Sequence, residues 1–299
     1  MNSDEQSQSK SNEKPQSRIS SRTLTFLTRN PETIIGLIVV VAFVLTAVLV
    51  TISDLLGIKI TPYNPIQQDV GGSLAAPSWA HPFGCDFLGR DVFSRVIASM
   101  PNDVVVSFCV IGVAIVVGAL IGALAGLKGG LLDELLMRFT DVIFSLPVLV
   151  IAMVIAVALG PGLIHLMVAM IVVWWPPYAR MARGETLRVA HQNFIEAARF
   201  AGQKTTGILF KHVLPNISIT MLVYATLDIG TVILVYAGLS YLGLSVRPPA
   251  PDLGEMISSS QDYLITAPWL PIIPGLIIAI IVIGFCVLGD GLRDALEIR

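Results

Sequence analysis

Six long apolar runs constrain the fold of this chain more than any other feature of its sequence. Each is close to the roughly 20 residues that an α-helix needs to cross the hydrocarbon core of a bilayer. Of the 299 residues, 54% are hydrophobic and 13% are charged, whereas about a quarter of a soluble domain is charged. The sequence therefore predicts an all-α membrane protein with six transmembrane helices. The predicted spans cover residues 33–52, 104–127, 135–159, 163–178, 217–242 and 269–288.

Two polar segments flank the first predicted span. Residues 1–29 begin with a Ser, Gln and Lys tract that predicts a disordered tail, and end in a stretch expected at the membrane surface. The first apolar run begins too late for a secretory signal peptide and lacks a small-residue cleavage site. Residues 53–101 are rich in Pro and Gly and predict an extramembrane loop. In this loop Asp86 is a candidate cap of an amphipathic helix along the membrane, with an apolar stripe of Leu88, Val92, Phe93, Val96 and Ile97.

Local patterns add expectations within the spans. Small residues recur every four positions in the second span and predict a face for close helix packing, at Gly118, Gly122 and Gly126. In the third span Arg138 and Asp141 are three residues apart, a spacing that favours a local ion pair. The fourth span contains Pro176 and Pro177, which predict an interruption of regular helix.

The sequence lacks the known motifs of nucleotide-binding, metal and dinucleotide-cofactor sites. It has no phosphate-binding loop, no His-Glu-x-x-His and no dinucleotide fingerprint, so we predict no catalytic, cofactor-binding or metal residue. The three cysteines are far apart and predict no disulfide framework. The four histidines lack the spacing of a nucleophile or metal site, which disfavours a membrane enzyme. A net charge of −2 disfavours nucleic acid as a partner.

The longest charged interruption in the second half lies around residues 193–216. Asn193 is a candidate helix cap, and Glu196 is placed to reach back to it as in a capping box. Gly202 permits the left-handed turn that ends many helices, and a second helical stretch is expected from Thr205 or Thr206. Ala197, Ala198 and Gly202 carry little or no side chain, so another protein could approach this backbone closely.

Glu196-Ala197-Ala198, followed by Gly202 and by Leu214-Pro215, resembles the cytoplasmic loop of import-type ABC-transporter permeases. His212, where the general pattern prefers Ile, is similar to the dipeptide/oligopeptide branch of that family. The resemblance implies a type I importer fold, with a cytoplasmic coupling loop at 180–215 and a short helix that docks into the ATPase subunit. The coupling residues it implies are Asn193, Phe194, Ile195, Glu196, Ala197, Ala198, Arg199, Gly202, His212, Leu214 and Pro215.

Further signatures extend the resemblance over most of the chain. Residues 81–95 are similar to a second signature of the peptide permeases, although Cys85 stands where Thr is usual. Met100-Pro101 departs from the branch, which commonly carries a basic residue nearby. Residues 237–244 and 288–296 are similar to two later signatures. We therefore interpret residues 30–299 as one six-helix permease domain.

Charge distribution predicts the orientation. Six spans place both termini on one side, and if that side is the cytoplasm, 15 of the 19 basic residues are inside. The positive-inside rule favours this topology in a plasma membrane. Residues 53–101 would then be extracellular and the 180–215 loop cytoplasmic.

Two residues of the fifth span are candidates for the transport pathway. Asp228 lies about halfway along the run, where an ionisable residue is costly unless it has a function or a partner. It could contact solute or pathway water, or instead hydrogen-bond to a neighbouring helix. Tyr236 stands where the family often has Glu. An ion-coupled carrier, the alternative class, would need such a buried group.

The resemblance also implies partners. These are a second homologous permease, two ABC ATPase subunits that bind ATP and Mg²⁺, an extracellular solute-binding protein and membrane lipid. This chain would be the smaller permease of the pair and would contain no cofactor. The family branch favours di- or oligopeptides as substrate, with oligosaccharides or nickel as alternatives.

Overall fold

The structure, a computed structural model, describes residues 30–297. The predicted tail and surface segment at 1–29 lie outside the described residues. Ten α-helices are described: α1 Pro31–Leu56, α2 Val92–Lys128, α3 Gly130–Phe144, α4 Val148–Leu159, α5 Leu163–Ala190, α6 Asn193–Phe200, α7 Thr205–Ile208, α8 Leu214–Tyr241, α9 Leu253–Ser260 and α10 Trp269–Glu297. A π-helical turn, Leu209–Val213, joins α7 to α8, and a 3-10 turn, Gln261–Tyr263, follows α9.

The predicted all-α class is confirmed, and the number of spans depends on one broken helix. Within residues 30–297, five helical segments are long and apolar enough to cross a membrane, namely α1, α2, α5, α10 and the run from Thr205 to Tyr241. The third predicted span, 135–159, is not one continuous helix: α3 and α4 meet at an angle of 82°. The break lies at residues 145–147, because Pro147 has no N–H to donate and disfavours helical geometry in Leu146 before it.

α5 lies centrally in the bundle and contacts α2, α3, α4 and α8. Its closest approach is to α2, where a Cβ added to Gly122 would lie 2.1 Å from the carbonyl oxygen of Ala179. A Cβ on Gly118 would lie 2.4 Å from that of Tyr178. The predicted small-residue face is therefore confirmed, and it positions the helix that leads into the candidate site.

Two predictions about helix boundaries are wrong. No separate amphipathic helix starts at Asp86: its carboxylate accepts hydrogen bonds from the backbone N–H groups of Leu88 and Arg90 and closes a turn. Asp91 is the cap, accepting from the N–H of Ser94, and α2 then runs through Pro101 into the second apolar run without a break. α5 likewise continues through Pro176 and Pro177, within a helix that packs closely on α2.

Candidate functional site

The candidate site is the coupling segment, which we define as residues 190–216, between α5 and α8. α5 ends at Ala190 and α6 begins three residues later, with Gln192 in the N-cap position. Asn193 is the first helical residue, so its predicted role as cap is wrong. No side chain caps this helix, and the predicted capping box with Glu196 is not formed. The direct turn from α5 into α6 leaves little freedom between the two helices.

α6 is amphipathic and lies on the bundle by one face. The Ile195 side chain is fully buried and Ala198 packs against the same core. Asn193, Glu196 and Ala197 are exposed. One carboxylate and a small side chain are therefore on the open face of the helix, while Ile195 and Ala198 hold it on the bundle.

The end of α6 forms a Schellman motif, as expected from Gly202. The N–H of Gly202 donates to the carbonyl of Arg199 at 3.0 Å, and that of Gln203 to Ala198 at 3.1 Å. Gly202 has φ +75°, in the left-handed region that favours glycine. The predicted second helical stretch is confirmed by α7, which begins at Thr205.

The returning half of the coupling segment is tied to α6 through His212. Its Nε2 lies 3.0 Å from Oε1 of Gln203, and its ring centroid is 6.2 Å from that of Phe194. Asn216 donates to the His212 carbonyl at 2.6 Å. Leu214 and Pro215 begin α8 directly after the π-helical turn. The structure thus brings the two sequence motifs, 193–202 and 212–216, together in one closed loop.

Sequence reasoning missed the exposed aromatic residues of this loop. Phe200 is 91% exposed at the end of α6, and Phe210 is 61% exposed in the π-helical turn. Each has a basic residue next to it in the sequence, Arg199 and Lys211 respectively. A groove of about 440 Å³ in this region is lined in part by Lys128, Arg199 and Gly202. Exposed apolar groups with nearby charges are typical of a protein-binding surface.

The pathway candidates Asp228 and Tyr236 lie outside the coupling segment. The Asp228 carboxylate accepts hydrogen bonds from Nε1 of Trp174 at 2.7 Å and from the hydroxyl of Tyr178 at 3.1 Å. Tyr236 is 1% exposed, and its hydroxyl donates to Asp252 at 2.5 Å. Both side chains thus join parts of this chain to one another. Their contact with solute stays a prediction.

A group of charged residues and one histidine, which we call the polar cluster, lies at the other end of the bundle. It comprises His81, Asp86, Arg90, Asp91, Arg95, Asp252 and Glu255. Sequence reasoning assigned Arg90, Asp91 and Arg95 to the polar face of an amphipathic helix, yet Arg95 is 1% exposed.

Arg95 holds the polar cluster together. Its guanidinium donates to Glu255 at 3.2 Å and to the carbonyls of Pro65 and Pro249. Arg90 and Asp86 pair at 2.6 Å, and His81 Nδ1 lies 2.9 Å from Asp91. Burial raises the pKa of Glu255, an effect that the positive charges of Arg95 and Arg90 oppose. Arg95 thereby joins the loop before α2 to α9.

The predicted local pair of Arg138 with Asp141 is wrong. Asp141 pairs with Arg180 of α5 at 2.6 Å, and Arg138 lies 3.8 Å from Glu134. In the part of the chain that the structure describes, no three His, Cys, Asp or Glu side chains are placed to hold one metal ion.

Comparisons with known proteins agree with this architecture. The chain is 35% identical over 271 residues to the dipeptide transport system permease protein DppC of Alkalihalophilus pseudofirmus, covering 91% of this chain and 87% of that protein. It is 40% identical to the glutathione transport system permease protein GsiD of Salmonella typhimurium, covering 85% and 84%. The relative of the same name in Escherichia coli is 38% identical over 239 residues.

A solved structure and a family profile extend the agreement. The MetNI methionine ABC transporter in inward-facing conformations contains a chain that matches with a TM-score of 0.54 and 20% identity, over 69% of this chain and 96% of that one. This likeness is one of fold and confirms the predicted type I importer architecture. The profile described as "Binding-protein-dependent transport system inner membrane component" matches residues 118–299, more than half of the sequence. The chain belongs to this family of ABC-transporter permeases.

Proposed function

We propose that this chain is a permease subunit of an ATP-driven peptide importer and that the coupling segment binds a partner ATPase. The observation that carries the proposal is the exposed face of α6, with Phe200 at its end, directly after the long α5. A monomer gains nothing from an exposed aromatic residue at such a position, whereas a partner with an apolar cleft would bury it. ATP and Mg²⁺ would be bound by that partner, because this sequence carries no phosphate-binding motif.

The mechanism follows from the connection between α6 and the bundle. When two ATPase subunits close around ATP, each pushes the loop it holds. In this chain the push on α6 is passed to α5, whose packing against the α2 glycines leaves no room for local compression. α5 therefore moves as a rigid lever, and the cavity formed with a second permease changes the side to which it opens.

Peptides are the proposed substrate class. The names of two relatives refer to a dipeptide and to glutathione, itself a tripeptide. The proposed orientation, both termini in the cytoplasm, rests on the distribution of basic residues. It puts the polar cluster outside, where an extracellular binding protein would deliver the solute.

Asp228 bears on the alternative of an ion-coupled carrier. Such a carrier would use a buried carboxylate that exchanges its ion during the cycle. The Asp228 carboxylate instead accepts two hydrogen bonds from α5, an arrangement that suits a structural link between α5 and α8. We therefore propose ATP-driven transport.

The experiment that tests this function is purification of the subunit from its native membrane with its partners. We expect an ATPase, a second permease and a binding protein that carries peptide. A binding protein loaded with oligosaccharide or nickel would overturn the substrate class and leave the ATP-driven mechanism. Transport by this chain alone, without ATP, would overturn the proposal.

A further inference from the structure

Two ion pairs join α3 to α5, and no helix-capping or packing requirement explains them. Asp133, in the first turn of α3, accepts two hydrogen bonds from Arg183, from Nε and from an Nη, each at 2.6 Å. Asp141, one turn before the end of α3, accepts from Arg180 at 2.6 Å. A forked guanidinium–carboxylate contact fixes orientation as well as distance.

The second pair has an additional aromatic contact. The Arg180 guanidinium carbon lies 4.1 Å from the centroid of the Phe144 ring, within the range of a cation–π interaction. Phe144 is the last residue of α3, immediately before the break at 145–147. Arg180 therefore holds both a carboxylate and the ring that ends the helix.

The spacing of the two attachments decides what they can do. Asp133 and Asp141 are eight residues apart, which is about 12 Å along α3. A single contact would leave α3 free to pivot, whereas two contacts at this separation fix its angle to α5. The other half of the broken helix, α4, contains only apolar residues and packs on α5 without an ion pair between residues 148 and 159. The contact of α4 with α5 therefore consists of apolar packing, which does not fix the angle between the two helices.

The geometry points to Arg180 and Arg183 as positioning residues that clamp α3 to α5. α3, α5 and α6 then move as one body when a partner acts on α6, and the bend at 145–147 absorbs the motion relative to α4. The setting of this inference, force applied at α6, rests on the proposed function. The clamp itself concerns only the relative motion of α3, α4 and α5.

Stability alone is the competing explanation, and exposure argues against it. The Arg180 and Asp141 side chains are 43% and 50% exposed, and those of Arg183 and Asp133 are 35% and 14% exposed. An exposed pair such as Arg180–Asp141 contributes about 0–1 kcal/mol, because water and salt screen it. Variants that lack one partner should consequently still fold and assemble, and a functional loss would have another cause.

The first test removes and restores the charges in the assembled transporter, reconstituted in liposomes. Arg183→Gln and Asp133→Asn should each lower uptake of a labelled dipeptide at least tenfold while ATP hydrolysis continues, so that more ATP is used per peptide. The reversal Asp133→Arg with Arg183→Asp should restore a large part of the coupling. The matched control is Glu134→Gln with Arg138→Gln, an exposed pair within α3, which should change neither rate. A ratio of ATP to peptide that stays at the wild-type value in both single variants would overturn the clamp.

The second test measures motion directly and needs no knowledge of the solute. Spin labels are placed on a variant lacking the native cysteines, at exposed positions of α3, α4 and α5: Leu131, Val154 and Gly184. On trapping the transporter with an ATP analogue, we expect the 131–184 distance to stay constant and the 154–184 distance to change. A changed 131–184 distance would overturn the clamp even if peptide import is established. A constant 131–184 distance in a transporter that imports another solute would support it and overturn the proposed substrate instead.

Discussion

The coupling segment and the polar cluster occupy opposite ends of the bundle and follow opposite rules. At one end apolar side chains are exposed, with Phe200 and Phe210 facing outward. At the other end charged side chains are buried, and Arg95 is surrounded by acceptors from three segments. Aromatic residues are usually buried and charged residues usually exposed, so each end reverses one of these two preferences.

The difference indicates what each end is for. The buried charges of the polar cluster have partners within the chain, so this cluster needs no second molecule to hold its loops in one conformation. Exposed aromatic residues gain free energy only when another molecule covers them, so the coupling segment is complete only in an assembly. Substitutions in the polar cluster should lower the stability of the subunit, and substitutions in the coupling segment should lower its affinity for the ATPase.

The largest expected effect is at Arg95. Arg95→Met keeps most of the side-chain volume but removes the cation that pairs with the partly buried Glu255 carboxylate. Breaking a buried pair in this way costs roughly 3–5 kcal/mol, so we expect a melting temperature in detergent lower by roughly 10 °C and a lower yield. Arg138→Met, at an exposed pair, is the control and should melt like the wild type. Equal melting temperatures for the two variants would show that the polar cluster does not stabilise the subunit more than an exposed ion pair does.

Phe200→Ala should show the reverse pattern. Its side chain is almost fully exposed, so truncation should leave the melting temperature of the isolated subunit unchanged. Loss of an aromatic anchor at an interface costs about 2 kcal/mol or more, so binding to the ATPase subunit should weaken by roughly 30-fold. Titration of purified ATPase against the detergent-solubilised subunit would measure this.

The matched control for Phe200 is Trp79, an equally exposed aromatic residue outside the coupling segment. Trp79→Ala should bind the ATPase with wild-type affinity. If both variants bind like the wild type, Phe200 is not an anchor and the docking surface lies elsewhere.

Sequence reasoning succeeded where a local rule decides the outcome. The apolar runs predicted the helical class, because a bilayer requires about 20 apolar residues per span. Gly202 predicted the end of α6, because its backbone conformation is one that other residues rarely adopt. The glycine repeat of the second span predicted the face on which α5 packs.

It failed where the partner of a side chain is distant in sequence. Arg95 and Glu255 are 160 residues apart. Asp141 pairs with Arg180, 39 residues away, and not with the nearby Arg138. The helix breaks at Pro147, whereas α5 continues through Pro176 and Pro177. Such choices depend on the whole bundle and have no local signal.

A smaller effect is expected at Gly202, whose substitution separates backbone strain from lost contacts. Nothing lies within 4 Å of a Cβ added there, so the cost of Gly202→Ala comes only from the left-handed conformation, about 1–2 kcal/mol. We expect ATPase association to weaken about fivefold or more as the end of α6 distorts. Gly184→Ala also meets open space but lies within α5 with helical geometry, and it should bind like the wild type. Equal affinities for the two variants would show that the turn after α6 does not shape the docking surface.

The last prediction concerns the reactivity of Cys85, which tests whether the loop that contains the polar cluster is rigid. Cys85 is fully buried, and burial, with smaller contributions from Asp91 and Asp86, raises the pKa of its thiol to about 11. Only the thiolate reacts with alkylating reagents, so at pH 8 a maleimide should modify Cys85 about tenfold or more slowly than an exposed thiol. Mass spectrometry of a variant lacking Cys109 and Cys286 would measure the rate, with Ser73→Cys in the same loop as the reference. Modification of Cys85 at the rate of the reference would mean that this loop opens in solution, and the rigidity assigned to the polar cluster would then be wrong.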